Sequence, residues 1–404
     1  MKFSRTITSL VLTLSAVNAF MTSPNNRQCT TIHTSTTTNV DSSKTVTSSM
    51  SPEFEDAKEQ TNAMIKSTLE NSPLQEPLKY FINEYFTACD KAAKSGADGV
   101  TAQSTAKNMQ KVLQYGMQFG LKDKYTFGTT HTALRGNPET EDGNTIDFYK
   151  AGCDFFRPAI DLKNSVVLGV DHLKQAREQL QNGENVIMLA NHQSEADPQV
   201  MSCALELVDF TEEAEKIVYV AGHKVTTDTL AIPFSMGRNL ICIHSKKHID
   251  ADPDTKPLKS KQNLMAMSGM LNMLKKGGTI IWVAPSGGRD RRDLETGKVP
   301  IAPFDQKTID MFRLMGNKSK VKTHFYATSM VSYDLCPPPD FIEAGVGEQR
   351  NVRFVPVGIN ISEELENFGG VEGRHLFTEN AQKVCQQGYD ELLVKLGMEE
   401  EQEQ

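Results

Sequence analysis

From about residue 151 the chain alternates short apolar runs with stretches of helical period, and this alternation constrains the fold more than any other feature. The runs are NVIMLA (185–190), KIVYVAG (216–222), NLICIHS (239–245), TIIWVAP (279–285), HFYATSM (324–330) and VRFVPVGI (352–359). Between them lie PQVMSCALELV (198–208) and KQNLMAMSGMLNMLKKGG (261–278). Runs this apolar, separated by helices, predict strands covered on both faces, and so an α/β fold with a largely parallel or mixed central sheet flanked by helices. The Met-rich stretch 265–273 has helical period and reads as a core face rather than a cofactor box.

The segment before this alternation has a different character. Leu78, Phe81, Ile82, Tyr85 and Phe86 fall at helical spacing within 73–96, and Gly96 suits the end of that helix. Met109, Val112, Leu113 and Met117 repeat the pattern over 103–122. Residues 126–150, rich in Gly, Thr and Asn, read as a connection. The expected organisation is a small N-terminal helical domain over 51–130, an α/β domain over 131–398 ending in an amphipathic helix at 373–396, and an acidic tail over 399–404. No internal repeat is present.

Residues 1–50 read as an address. Lys2 and Arg5 precede an apolar stretch, Leu10 to Val17, that is too short to span a bilayer, and Val17-Asn18-Ala19 suits cleavage before Phe20. A Ser- and Thr-rich stretch with one acid, Asp41, follows. A signal peptide joined to a transit-like segment at Ala-Phe resembles the bipartite plastid presequences of algae such as diatoms. Seven cysteines, most of them widely spaced and with no C-x-x-C, suit a reducing compartment and no zinc ribbon. A net charge of −8 argues against general nucleic-acid binding. The mature sequence offers no stable transmembrane anchor.

Polar motifs follow the apolar runs. NVIMLA leads into NHQSEADP, KIVYVAG into HK, NLICIHS into KKH and TIIWVAP into SGGRDR. The carboxyl ends of parallel strands are where such sheets bind ligands. His192 and Asp197 stand five positions apart, and Pro198 suits the first turn of a helix that Asp197 would cap. The turn can bring the carboxylate to one ring nitrogen, leaving the other as general base. So short a pattern arises readily by chance, but Asn191 before it and Pro198 after it narrow the match. Two basic groups, Arg238 with Lys246, Lys247 and His248, and Arg289 with Arg291 and Arg292 behind two glycines, suggest a phosphate site.

NHQSEADP, IPFSMGRNLICIHSKKH, IIWVAPSGGRDR and the later APFD (302–305) resemble the soluble glycerol-3-phosphate acyltransferases of plastids, over about residues 60–398. The resemblance implies His192 as base, Asp197 as its partner, and Lys247, His248, Arg289 and Arg291 as the phosphate-binding set. It also implies an apolar groove for an acyl chain, no cofactor and no metal. Ser286-Gly287-Gly288-Arg289 stands where membrane-bound relatives usually carry Glu-Gly-Thr-Arg.

The expected reaction passes a fatty acyl group from an acyl-[acyl carrier protein] or acyl-CoA to the sn-1 hydroxyl of glycerol 3-phosphate, in the plastid stroma. Asn191 or a backbone N–H is a candidate oxyanion donor. For an acidic carrier protein, Lys256, Lys259 and Lys261, or Lys318, Lys320 and Lys322, are candidate docking charges. The alternative is a lysophospholipid acyltransferase sharing the His-x4-Asp motif. A serine hydrolase using Ser194 or Ser286 lacks a G-x-S-x-G elbow. A non-catalytic lipid carrier would not need these groups together.

Overall fold

The computed structural model describes residues 50–69, 72, 74–136, 145–245, 249–338, 350–367 and 372–399. The expected presequence up to residue 49, Lys247 and His248, and the tail from residue 400 lie outside the described residues.

The six apolar runs supply β3 to β8 and two short strands join them, giving among the described residues a sheet of eight: β1 (Thr130–His131), β2 (Val166–Leu168), β3 (Asn185–Ala190), β4 (Val218–Gly222), β5 (Asn239–Ile243), β6 (Ile280–Val283), β7 (Thr323–Val331) and β8 (Gly358–Glu364). Their spatial order is β1-β5-β4-β6-β3-β7-β8-β2. The five central strands from β5 to β7 are mutually parallel. β8 runs antiparallel to β7, β1 runs antiparallel to β5, and β2 pairs parallel with β8. The mixed α/β fold read from the alternation is therefore present, with its parallel character concentrated at the centre.

β3 shows why these segments pair. Every residue from Asn185 to Ala190 is buried. Val186, Met188 and Ala190 join one apolar core while Ile187 and Leu189 join the other, as the two-residue period of a strand requires. The first core continues into α1 (Pro52–Thr68), α2 (Gln75–Lys94), α3 (Ala102–Tyr115) and α4 (Phe148–Phe156). Tyr85 of α2 stacks on Phe155 of α4 at 4.2 Å between ring centres, and its hydroxyl donates to the Phe155 carbonyl at 2.9 Å.

α5 (Val170–Gln181), α6 (Asp197–Glu206), α7 (Thr211–Lys216) and α8 (Ala231–Met236) follow. The second core is covered by α9 (Lys256–Lys276), α10 (Gln306–Ser319) and α11 (Glu372–Lys395).

Three segments depart from expectation. The helix expected over 103–122 is α-helical only to Tyr115 and continues as a π-helix over Gly116–Lys122. There Gly120 lies so close to the loop before α8 that a Cβ would fall 2.2 Å from the Thr229 carbonyl oxygen. The run VRFVPVGI is a strand only at its end: Val355 makes an isolated bridge with Ile160, and β8 starts at Gly358. Pro356 has no N–H to give a ladder, which accounts for the delay. The Met-rich stretch divides: Met270 is buried in the core, whereas Met265 is 53% exposed.

Candidate active site

Where β3 ends, Asn191 fastens the chain. Its side-chain Oδ1 accepts from Met330 N–H at 2.8 Å, and its Nδ2 donates to the Met330 backbone carbonyl and to Asp290 Oδ2, both at 3.0 Å. Both amide protons are therefore used, which removes Asn191 as an oxyanion donor. Its work is to tie the motif loop to β7 and to the chain after β6.

The next residues fold back on themselves. Asp197 is the first residue of α6 and not its N-cap, which is Ala196. Its carboxylate points back into the loop and accepts from His192 Nδ1 at 2.7 Å, Gln193 N–H at 2.8 Å, Ser194 N–H at 3.1 Å and Ser332 Oγ at 2.7 Å. Asp197 is 1% exposed, so these four donors replace the water that a buried carboxylate would otherwise lack. Gln193 extends the frame: its side-chain Oε1 accepts from Ser332 N–H and Tyr333 N–H at 2.7 and 3.0 Å.

With Nδ1–H committed to Asp197, the His192 ring presents Nε2, which has no partner among the described residues. The side chain is 27% exposed, and its ring meets Trp282 of β6 edge-on at 5.8 Å. The imidazole is thus oriented by a fixed carboxylate on one side and open on the other, the arrangement of a general base.

Beside it lies a charged cluster. Glu195 accepts from Arg350 Nε at 3.2 Å and Arg289 Nη1 at 3.4 Å, with Lys224 Nζ at 4.0 Å. Arg350 also pairs with Asp228 at 2.9 Å. Burial raises the Glu195 carboxyl, but Arg350, Arg289 and Lys224 outweigh it and leave its pKa below the usual value. Burial lowers the Lys224 ammonium, helped by Arg289 and Arg350 and opposed by Glu195. Arg289 and Arg291 flank Asp290, which is wholly buried and whose carboxyl burial pushes up to about 6. Asp290 N–H donates to the His192 carbonyl at 2.6 Å, joining the arginine loop to the motif loop. The turn leading in depends on Gly287, whose φ of 69° a side chain would strain.

The structure therefore gathers His192, Asp197 and Arg289 at the carboxyl end of the central strands, with Arg291 two residues beyond. Lys247 and His248 lie outside the described residues. Arg238 is elsewhere: it precedes β5, is 3% exposed, lies over the Tyr149 ring at 4.5 Å and donates to Ser202 Oγ at 2.6 Å. Arg292 pairs with Asp334 at 2.5 Å and covers the Tyr333 ring. Lys318, Lys320 and Lys322 precede β7 at the opposite edge of the sheet. Sequence reasoning missed Arg350, Asp228 and Ser332, which come from distant segments. Glu195 was visible inside NHQSEADP.

Residues 173–330 match the family described as Acyltransferase. Over 320 residues the chain is 37% identical to "Glycerol-3-phosphate acyltransferase, chloroplastic" of Arabidopsis thaliana, covering 79% of this chain and 67% of that protein. The chain belongs to the glycerol-3-phosphate acyltransferase family.

That membership bears out the resemblance carried by the motifs. Proteins of the same description from Spinacia oleracea and Pisum sativum are 34% and 33% identical to this acyltransferase, over 74% and 81% of its length. The chain spans 62% of the spinach protein and 70% of the pea protein. A solved structure, the 1-acyl-sn-glycerophosphate acyltransferase PlsC from Thermotoga maritima, aligns at 20% identity with a TM-score of 0.35, over 61% of this chain and 78% of its own. In this acyltransferase the family match runs from α5 through β7, and so takes in His192, Asp197, Glu195 and Arg289.

Proposed function

We propose that this chain transfers an acyl group from a thioester donor to the sn-1 hydroxyl of glycerol 3-phosphate, giving 1-acyl-glycerol 3-phosphate, with His192 as the base. The observation that carries the reading is the 2.7 Å bond from His192 Nδ1 to Asp197, which leaves Nε2 facing outward from a fixed ring.

The chemistry needs little beyond this. A thioester is already activated, so the hydroxyl attacks as Nε2 takes its proton. Asp197 holds the ring in the required tautomer and stabilises the imidazolium that forms. The tetrahedral oxyanion is then met by a donor other than the Asn191 side chain, whose protons are used. Collapse expels the thiolate, which recovers the proton from His192. No cofactor or metal takes part.

The phosphate orients the acceptor. Arg289 and Arg291 belong to this role, joined by Lys247 and His248 through the family resemblance. Glu195 keeps Arg289 gathered with Arg350 and Lys224, so the cationic wall is assembled before substrate arrives. Such positioning converts binding into rate. The donor is an acyl-[acyl carrier protein] or acyl-CoA, and the place of work is the plastid stroma.

The direct test is an assay of the purified protein with glycerol 3-phosphate and each donor. Formation of 1-acyl-glycerol 3-phosphate from at least one donor supports the reading. Acylation of a lysophospholipid in place of glycerol 3-phosphate contradicts it.

A further inference from the structure

α9 departs from the rest of the surface. It carries five lysines, Lys256, Lys259, Lys261, Lys275 and Lys276, and no acid, in a chain of net charge −8. Ala266, Met270 and Leu274 bury its inner side. Its outer side is not the polar face expected of a surface helix: Leu258 is 58%, Leu264 72% and Met265 53% exposed. Leu314 of α10, which packs beside α9, is 49% exposed.

The helix is also placed at the site. Asn263 exchanges two hydrogen bonds with the backbone of His244, each 2.8 Å, and Gln262 meets the His244 ring at 2.8 Å. His244 is the first residue past the carboxyl end of β5, the same edge of the sheet on which His192 follows β3.

We infer that the outer face of α9 docks the enzyme transiently on an anionic lipid surface. Lys256 pairs with Asp250 at 2.9 Å, and the exposed apolar side chains with Lys261 toward one end of the helix and Lys275 and Lys276 at the other fit the boundary between headgroups and acyl chains. Each lysine near such a surface gains from the negative potential. An acidic protein would use the lysines but would need a matching hollow for three projecting apolar side chains. The inference rests on the proposed function for its purpose: the product carries an acyl chain and a phosphate, and a membrane is where such an amphiphile partitions. The surface itself is a matter of lipid binding and is read without catalysis.

The test is flotation of the full chain with vesicles of phosphatidylcholine alone, or of phosphatidylcholine with phosphatidylglycerol as about a third of the lipid. The wild type is expected on the anionic vesicles, less so as salt rises. Leu258→Ser/Leu264→Ser/Met265→Ser and Lys261→Glu/Lys275→Glu/Lys276→Glu each lower that partition by about tenfold or more, with unchanged circular dichroism and unchanged turnover of acyl-CoA. His192→Ala floats as the wild type does, which separates this result from the catalytic one. Three outcomes overturn the inference: a wild type that ignores anionic vesicles, variants that float like the wild type, or variants that lose only the carrier-protein donor while vesicle binding stays intact.

Discussion

Glu195 and Arg350 are 155 residues apart in sequence and meet at 3.2 Å, where Glu195 also holds Arg289. A single carboxylate thus joins the loop that carries His192 to a cation from the segment before β8. Replacing it removes the charge that gathers the cluster while keeping its shape. Glu195→Gln is expected to raise the KM for glycerol 3-phosphate by roughly tenfold, with much less effect on the KM for the donor, because charge-assisted bonds are about twice as strong as neutral ones. Arg289→Ala is expected to do the same more strongly. Steady-state kinetics varying each substrate in turn checks both. Equal changes in the two KM values contradict the positioning role.

Ser332 gives Asp197 one of its four donors from across the fold. Ser332→Ala leaves a buried carboxylate oxygen short of a partner, a loss of about 1–3 kcal/mol. The expected outcome is a lower urea midpoint together with a fall in kcat, since the same carboxylate sets the His192 ring. Unchanged kcat at reduced stability would separate Ser332 from catalysis.

Asp290 makes a prediction about pH. Burial raises its carboxyl from the ordinary 3.8 to about 6, against the bonds from Ala302 N–H and Asn191. Between those values the folded chain binds more protons than the unfolded chain, so this group's contribution to stability falls as pH rises. Asp290→Asn removes that slope at the cost of one accepting oxygen. Thermal unfolding of both proteins from pH 4 to pH 7 checks it. The variant should gain on the wild type as pH rises through this window, and a constant difference in Tm contradicts the reading.

Residues 1–50 are expected to be sufficient for plastid import and dispensable for activity. A fluorescent reporter fused to them, expressed in an alga with secondary plastids, should enter the plastid. Secretion or retention in the cytosol contradicts the localisation.

Some of this architecture was legible and some was not, for reasons that follow from chain separation. β3, its loop and α6 lie within about twenty residues, so an apolar run, a motif and a helix start appear together and place His192 against Asp197. Glu195 was in view within the same motif, but its partners Arg289 and Arg350 come from distant segments, and no local pattern announces such a meeting. Strand direction misled at Arg238. It stands next to β5 in sequence but precedes the strand, so the five residues of β5 separate it from the carboxyl edge of the sheet where His192 lies. The lysines before β7 are displaced for the same reason. Asp197 was expected to cap α6, yet the nearer N–H groups of Gln193 and Ser194 take its carboxylate instead.

In the proposed reaction His192 Nε2 takes the hydroxyl proton while Asp197 fixes the ring. The most direct measurement is kcat for acyl transfer to glycerol 3-phosphate by purified His192→Ala and Asp197→Asn, each shown to be folded by circular dichroism. A loss of roughly a thousandfold or more is expected for the first and about a hundredfold or more for the second, through the wrong tautomer. Turnover within a few fold of the wild type in either variant would contradict it.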